Sequence, residues 1–373
     1  MSEVFLMLVS VTGGTGFVGA HSVAAFLRAG HRVRLLVREP SGVARALAPL
    51  LPGPAPGGSA DEDTFADTFG DTFGDVVEVV TGDVTDGEAV GRAVRGADAV
   101  LHAAAVYTFD SRRRASVRRT NERGAEVVLG AARAAGADPI IHVSSVAALF
   151  PAPGRVVRED TPVGRPREPY MASKAAAEAV ARGHQREGAP VVITYPPALL
   201  GPHDPRLGDQ TARLRDVLRG LMPVWPLGGL PLGDVRDTAA LHAELLTPYG
   251  GGPARHFGPG HYLTTRRYVE VLREVTGRRL PTLFLPARAM LPAGLLADLA
   301  QRVCPWHIPA QYGAVYVCAC ATRVAKGAST GGVVPRPVAE TVGETVRWLH
   351  ANGSLSDRQA GTARGDLTPV RAS

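Results

Sequence analysis

The stretch "VTGGTGFVG", residues 11–19, decides the fold. An apolar, β-branched run (4–11) leads into it, a helix-like segment follows, and Gly13, Gly16 and Gly19 stand three apart. Between a strand and a helix, this spacing allows a tight turn, a close backbone approach to an anion, and contact of helix with strand. The amides at the helix start have no intrahelical partners and the helix dipole favours negative charge there, so a pyrophosphate suits the site. Thr15, Phe17 and Val18 complete the cradle between the glycines.

Outward from this turn, short apolar runs alternate with helix-like segments: strands at 32–38, 76–80, 98–102, 139–144 and 190–195, helices at 17–29, 88–95, 116–135 and 170–187. Strict alternation predicts an α/β fold, a doubly wound parallel sheet (Rossmann) with a smaller C-terminal substrate lobe. Residues 1–195 form the dinucleotide-binding core, to which 233–260 return. The lobe takes 196–232 and 261–350, with helices near 209–220, 265–277 and 337–350. Residues 52–75, "PGPAPGGSADE" followed by the repetitive "DTFADTFGDTFGD", read as a surface insertion, because three short copies cannot stack as a solenoid. The small, polar composition of 351–373 predicts a disordered tail.

Composition narrows the partners. A net charge of +6, from 41 basic and 35 acidic residues, is modest for 373 residues and does not point to nucleic acid. The basic run "SRRRASVRRTNER" (111–123) places arginines all round a helix, which is a solvated surface. Three cysteines, at 304, 318 and 320, lack metal-site spacing, so no metal is expected and a reduced, cytoplasmic setting is. Cys318 and Cys320 read as buried thiols on one face of a strand. The first apolar run flows straight into the glycine turn, which is not signal-peptide grammar. Residues 283–300 are apolar but broken by Pro286, Arg288, Pro292 and Asp298, unsuited to a membrane span and suited to an amphipathic cover over a pocket.

The end of the second strand discriminates between dinucleotides. An acid there would bind the ribose diol of NAD, and an arginine would accommodate the 2′-phosphate of NADP. Here "VRLLVREP" puts Val37 near the acid position, Arg38 after it and Arg45 further on, which favours NADP(H). Glu39 keeps NAD(H) as the alternative. "GDVTD" (82–86) sets Asp83 and Val84 where a carboxylate and an amide meet adenine. "LHAAA" (101–105) ends a strand in small residues, so Ala103 and Ala104 leave room near the nicotinamide. His102, at the same strand end, counts with them as a cofactor-binding residue, and its structural reading is a packed, hydrogen-bonded histidine.

The chemistry lies in two further stretches. "IIHVSSVAAL" (140–149) ends a strand in a serine pair, and "PYMASKAAAE" (169–178) opens a helix with Tyr170 and Lys174 on one face. With TGGTGFVG, GDVTD, HAAA, SSVAAL, YMASK and "YPPALLGPHD" (195–204) in that order over residues 4–350, the chain resembles the extended short-chain dehydrogenase/reductase family. The motifs look most like its dihydroflavonol-reductase-like and 3β-hydroxysteroid-dehydrogenase-like branches. The resemblance implies Tyr170 as general acid/base, Lys174 as its tuner and a ribose binder, and Ser145, rather than its neighbour Ser144, as the hydroxyl orienting a carbonyl. It also implies Asn121 as support for a proton-relay water, Pro196 against the nicotinamide carboxamide, and a homodimer. Physically, a phenol with pKa of about 10 needs help at neutral pH, and an adjacent ammonium favours the phenolate.

A small-molecule substrate would meet Tyr107, Ser145, Leu149, Leu199 and His203, with Phe109, Phe150, Trp225, Leu291 and Trp306 as further candidates. This mostly aromatic and aliphatic set suits a bulky, weakly charged ketone, aldehyde or secondary alcohol. Arg236 and Asp237 in "GDVRDTAALHAELL" (233–246) read as a structural pair. The readings are an NADP(H)-dependent oxidoreductase, an NAD-dependent nucleotide-sugar epimerase or dehydratase, and a non-catalytic dinucleotide-binding regulator. Intact Ser145, Tyr170 and Lys174 favour the first.

Overall fold

The structure, a computed structural model, describes residues 6–51, 73–107, 117–152, 154, 156–247, 250, 252, 254–301 and 312–365. Most of the repetitive insertion, Phe109, Arg112 to Arg114, Cys304 and Trp306 lie outside the described residues.

The first half alternates as its apolar periodicity requires. Strand β1 (Leu8–Thr12) leads to helix α1 (Phe17–Arg28), then β2 (Arg32–Val37), α2 (Gly42–Leu47), β3 (Val77–Thr81), α3 (Gly87–Val94) and β4 (Ala99–His102). A wide π-turn at Arg119–Arg123 opens α4 (Gly124–Ala134), followed by β5 (Ile140–Val143), the short β6 (Val156–Val157), α5 (Pro169–Arg186) and β7 (Val191–Tyr195). Beyond come β8 (Ala198–Leu200), α6 (Asp209–Leu218), β9 (Val224–Leu227), β10 (Gly229–Asp234), α7 (Val235–Glu244), β11 (Arg255–Phe257) and β12 (His261–Thr264). The chain closes with α8 (Thr265–Thr276), β13 (Leu283–Pro286), α9 (Ala287–Gln301), α10 (Tyr312–Cys320), β14 (Arg323–Val324), α11 (Val338–Ala351) and α12 (Asp357–Ala360).

Seven strands form one parallel sheet in the order β11-β7-β5-β4-β1-β2-β3. The order reverses between β1 and β4, and the crevice at the carboxyl ends of these strands is where such sheets bind ligands. A core containing Val100, Ile140, Val191 and Ile193 fills one face, and one containing Val9, Val11, Leu101 and Ile141 fills the other. A third core builds the lobe from Leu214, Trp225, Leu232, Tyr268, Leu272, Val346 and Leu349.

Local chemistry sets several helix starts. Asp86 accepts from the amides of Glu88 and Ala89, Glu168 from Met171, and Thr264 from Arg267, so each caps its helix. Pro169 occupies the first position of α5, where its missing N–H costs nothing. The left-handed Gly277 (φ 65°) ends α8.

Three expectations are corrected. Residues beyond 350 do not form a tail up to Gly365: Ser356 and Gln359 make a capping box, and Leu355, Ala360 and Ala363 are buried in the lobe core. The stretch's small polar composition hides three apolar residues at the spacing the lobe needs. Cys318 and Cys320 stand on helix α10 rather than a strand, as free thiols, and burial pushes Cys318 up to about 11. Arg236 does not pair with Asp237. It forms a fork with Asp234 at 2.9 and 2.7 Å, while Asp237 takes Arg336.

Asp234, 1% exposed, also accepts from the Arg236 amide at 2.8 Å and the Thr341 hydroxyl at 2.9 Å. Removing one partner of a buried, hydrogen-bonded ion pair leaves the other uncompensated. Asp234→Ala is expected to lower the unfolding free energy by about 3 kcal/mol, read from urea denaturation of the two proteins.

Candidate active site

The switch point brings the glycine turn against the end of β4. Gly13 has φ 79°, and a Cβ there would lie 2.6 Å from the Ala104 nitrogen, so no side chain fits. A Cβ on Gly19 would lie 2.1 Å from the Gly13 carbonyl oxygen, and one on Gly16 3.3 Å from it. No side chain caps the start of α1 at Gly16. These features fit a dinucleotide: a cradle that side chains would fill and a helix N-terminus left to an anion. Phe17 and Val18 lie in the first turn of α1, and Thr15 accepts from Arg206 at 3.5 Å across the turn. That arginine comes from the lobe and was given no special role by its sequence position.

Beyond the end of β3, the carboxylate of Asp83 accepts from the Thr85 hydroxyl at 2.7 Å and amide at 2.9 Å. These bonds, with the hydroxyl first and the Arg38 charge adding, hold it below the usual carboxylate range against partial burial. Arg38 and Arg45 are both exposed, and so is Glu39. Val84 is buried beside α4.

Ser145, Tyr170 and Lys174 come from the end of β5 and the start of α5. The Ser145 side chain caps the turn after β5 by accepting from Ala147 at 3.2 Å, and it is also hydrogen-bonded to the Tyr170 phenol. Val146 donates to the Pro196 carbonyl at 3.1 Å, which ties that turn to the loop after β7. Burial pushes the Tyr170 phenol well above its ordinary value, with the neighbouring Tyr107 and Glu168 adding and the Ser145 bond opposing. The structure therefore holds Tyr170 as a protonated phenol. Its ring meets Tyr107 edge-on at 4.7 Å, and Tyr107 accepts from Gln210 at 2.9 Å.

Lys174 is 5% exposed and donates to the Val143 carbonyl at 2.9 Å. Burial lowers it to about 8, with Glu178 opposing. Beneath it, His102 and His142 stack at 5.4 Å. Both are buried and held below the ordinary histidine value by burial first, with Lys174 contributing, and His102 falls to about 3. His102 shares a 2.7 Å hydrogen bond with Thr12, so the packed reading of this histidine describes its surroundings. Ala103 and Ala104 continue from it and are half-buried.

Asn121 lies in the π-turn and is 2% exposed. Its side chain accepts from Val106 at 2.7 Å and donates to the Val106 carbonyl at 3.1 Å and the Ser173 hydroxyl at 2.9 Å. It thus ties the segment after β4, which carries Tyr107, to the catalytic helix. The widened turn is the kind of local distortion that often marks a site.

Leu149 and Phe150 are enclosed in the core beneath the site. Leu199 packs between β8 and β10 against Gly233, and Trp225 is buried in the lobe core with its indole donating to Met222. His203, at φ 58°, meets Trp348 edge-on at 6.3 Å. Glu168 was missed. It is 3% exposed, caps α5 and sits close enough to raise the phenol, and an acid followed by Pro at a helix start was the signal that could have found it. Among the described residues no cluster could hold a metal ion.

Comparisons with known proteins follow the same lines. Residues 9–257 match the profile of the NAD dependent epimerase/dehydratase family. "Sterol demethylase protein B" of Methylococcus capsulatus is 28% identical, over 94% of this chain and 100% of that protein. The "4-hydroxy-2-methyl-3-oxo-4-farnesyl-3,4-dihydroquinoline-1-oxide ketoreductase" of Stigmatella aurantiaca is 27% identical, over 98% of this chain and 100% of its own. The crystal structure of a dTDP-glucose 4,6-dehydratase double mutant from Streptomyces venezuelae, with NAD bound, shares the fold at a TM-score of 0.65 and 22% identity, covering 93% of this chain and 98% of that one.

Lys174 gives a pH test. Its folded value of about 8 lies below the ordinary 10.5, so between these values the unfolded chain binds more protons and stability rises with pH. Urea unfolding of the wild type across this window should show that rise, and Lys174→Met should lack it. Equal slopes would show that the ammonium is not desolvated.

Proposed function

This chain belongs to the NAD dependent epimerase/dehydratase family and is an NAD(P)-dependent oxidoreductase of the extended short-chain dehydrogenase/reductase type, and on that premise we propose that it reduces the carbonyl of a bulky, weakly charged small molecule with NADPH. The observation that carries the reading is the hydrogen-bonded pair of Ser145 and a buried, protonated Tyr170. Two hydroxyls from separate segments, already in contact, can grip one carbonyl oxygen.

The dinucleotide, when bound, supplies the hydride. Gly13, Gly16 and Gly19 admit its pyrophosphate to the start of α1, and Asp83 with Val84 flanks the adenine. Arg38 and Arg45 face the ribose end and supply positive charge for a 2′-phosphate, while Glu39 is the residue through which NAD(H) would be held instead. Pro196, Ala103 and Ala104 border the nicotinamide end, and Lys174, four residues from Tyr170, takes ribose hydroxyls.

Tyr170 hands its proton to the carbonyl oxygen as negative charge grows there, and Ser145 stabilises the same oxygen by hydrogen bonding. A phenol kept protonated by burial is suited to giving a proton, which favours the reductive direction. Lys174 is the nearby cation that favours the phenolate left behind. Asn121 holds the segment carrying Tyr107 against the catalytic helix, so the proton donor and the aromatic wall move as one. The full-length relatives whose names are a sterol-processing protein and a ketoreductase for a farnesylated quinoline support a large apolar substrate. Tyr107, with Ser145 beside it, is the substrate-facing contact that the geometry favours.

Tyr170→Phe should cut turnover by about a thousandfold while leaving NADPH affinity within about twofold. Steady-state rates and fluorescence titration of NADPH decide it, and a variant retaining turnover would sink the proposed acid. Arg38→Ala should weaken NADPH binding by about tenfold and NADH binding hardly at all. Equal losses for both would place the 2′-phosphate elsewhere.

A further inference from the structure

The lobe carries an outward face that the proposed chemistry does not use. β9 and β13 pair as a two-stranded ribbon, with Leu283 opposite Val224 and Leu285 opposite Pro226. One side of the ribbon turns Trp225 into the lobe core. The other presents Leu283 at 57% exposure, and Val224 and Leu285 are exposed with it. Helix α9 continues from β13, and Arg288, Pro292, Leu295 and Leu296 fall at i, i+4, i+7 and i+8 on one stripe. That stripe faces outward: Leu295 is 53% and Leu296 68% exposed. An amphipathic helix of a globular lobe would turn these leucines inward, and a run of exposed large apolar residues signals an interaction surface.

The charge pattern identifies the kind of partner. β9, β13 and α9, which build this face, contain one acid, Asp298 near the end of α9, and residues 217–233 and 275–297 contain none. Arg219, Arg279 and Arg288 lie within those segments and are exposed or half-buried at its edge, and Arg266 lies over the Phe284 ring at 4.6 Å. Exposed leucines fringed by several arginines, with Asp298 the single acid of these elements, complement an apolar layer bounded by negative charge. A second copy of the chain would instead bring this basic fringe against itself.

The inner side of α9 looks toward the site. Gly294 packs so closely on Tyr312 of α10 that an added Cβ would lie 3.0 Å from its Cα, and Tyr316 of α10 accepts from the Arg167 amide at 3.4 Å, three residues before Tyr170. The helix is thus one layer removed from the catalytic turn.

We propose that the outer face of β9, β13 and α9 docks on an anionic lipid surface, and that an apolar substrate reaches Tyr170 from that side. The docking stands on exposure and charge alone, whereas the delivery of substrate rests on the reductase reading. The full-length protein should co-sediment with vesicles of phosphatidylcholine and phosphatidylglycerol at least about tenfold more strongly than with phosphatidylcholine alone, and lose that preference in high salt. Leu295→Glu with Leu296→Glu should lower the partition by about tenfold or more, and Arg279→Glu with Arg288→Glu should abolish the dependence on anionic lipid. NADPH turnover of a short water-soluble ketone should be the same in all variants, which shows that they fold. Failure of the wild type to bind either vesicle, leucine variants that bind as the wild type does, or leucine variants that turn a dimer into monomers in sedimentation velocity would each overturn the docking. A wild type that binds anionic vesicles but reduces no ketone would sustain the surface and sink the reductase reading.

Discussion

The approach of Gly13 to the Ala103–Ala104 backbone is the constraint on which the rest of the structure depends. The two loops meet where the strand order reverses, and the gap between them is too small for a Cβ. Because the β1 turn is seated there, α1 starts over the carboxyl ends of the central strands with no side chain at its cap. The same crevice is bounded on its other side by the end of β5, where Ser145 emerges, and by the start of α5. The glycine turn and the hydroxyls of Ser145 and Tyr170 are therefore placed by one packing contact plus the parallel register of β1, β4 and β5.

Electrostatics within the crevice follow burial more than pairing. Tyr-x-x-x-Lys spacing orients two side chains to one helix face, and it would suggest a phenol pulled down by its ammonium. The ammonium bonds to the Val143 carbonyl, and desolvation dominates both groups, raising the phenol and lowering the amine. Each effect moves its group toward the neutral form, the direction in which burial drives any ionisable group. The neutral histidine pair below continues this pattern: Thr12 satisfies His102, while among the described residues neither ring nitrogen of His142 has a partner.

Features set by local periodicity or by an obligatory residue type could be read from the chain. The parallel strands, the glycine turn and the Tyr170–Lys174 face are of this kind, since each depends on spacing within a few residues. What could not be read depends on contacts distant in sequence. Asp234 rather than Asp237 takes Arg236 because Asp234 caps α7 and so lies within reach of the guanidinium, a choice that helix registry makes and composition cannot. The segment after Ala351 reads as too polar to fold, yet its few apolar residues complete a core that reaches back to Leu200, Leu214 and Trp225. His203 carries a motif-like position but a left-handed backbone turns the loop toward Trp348. Cys318 and Cys320 alternate like strand residues in a run with no polar mark to give its period, and tertiary packing against α9 decides for a helix.

The lobe's separate core raises the question of how it keeps a fixed relation to the nucleotide half, and Asp234 supplies the link. It ends β10, a lobe strand, and caps α7, which packs along α1 on the far side of the sheet. Through Thr341 it also holds α11, whose apolar side forms the lobe core with Val342, Val346 and Leu349. One carboxylate thus spans the glycine-turn helix, the edge of the lobe and its central helix. Because Arg236 and a helix-start amide stabilise its charged form, the linkage is electrostatic and directional, which an apolar contact of similar size would not be. The lobe therefore has two ties of different kinds to the parallel-sheet half: this charged one at α7, and the neutral bond from the Arg167 amide to Tyr316 of α10, the helix on which α9 packs.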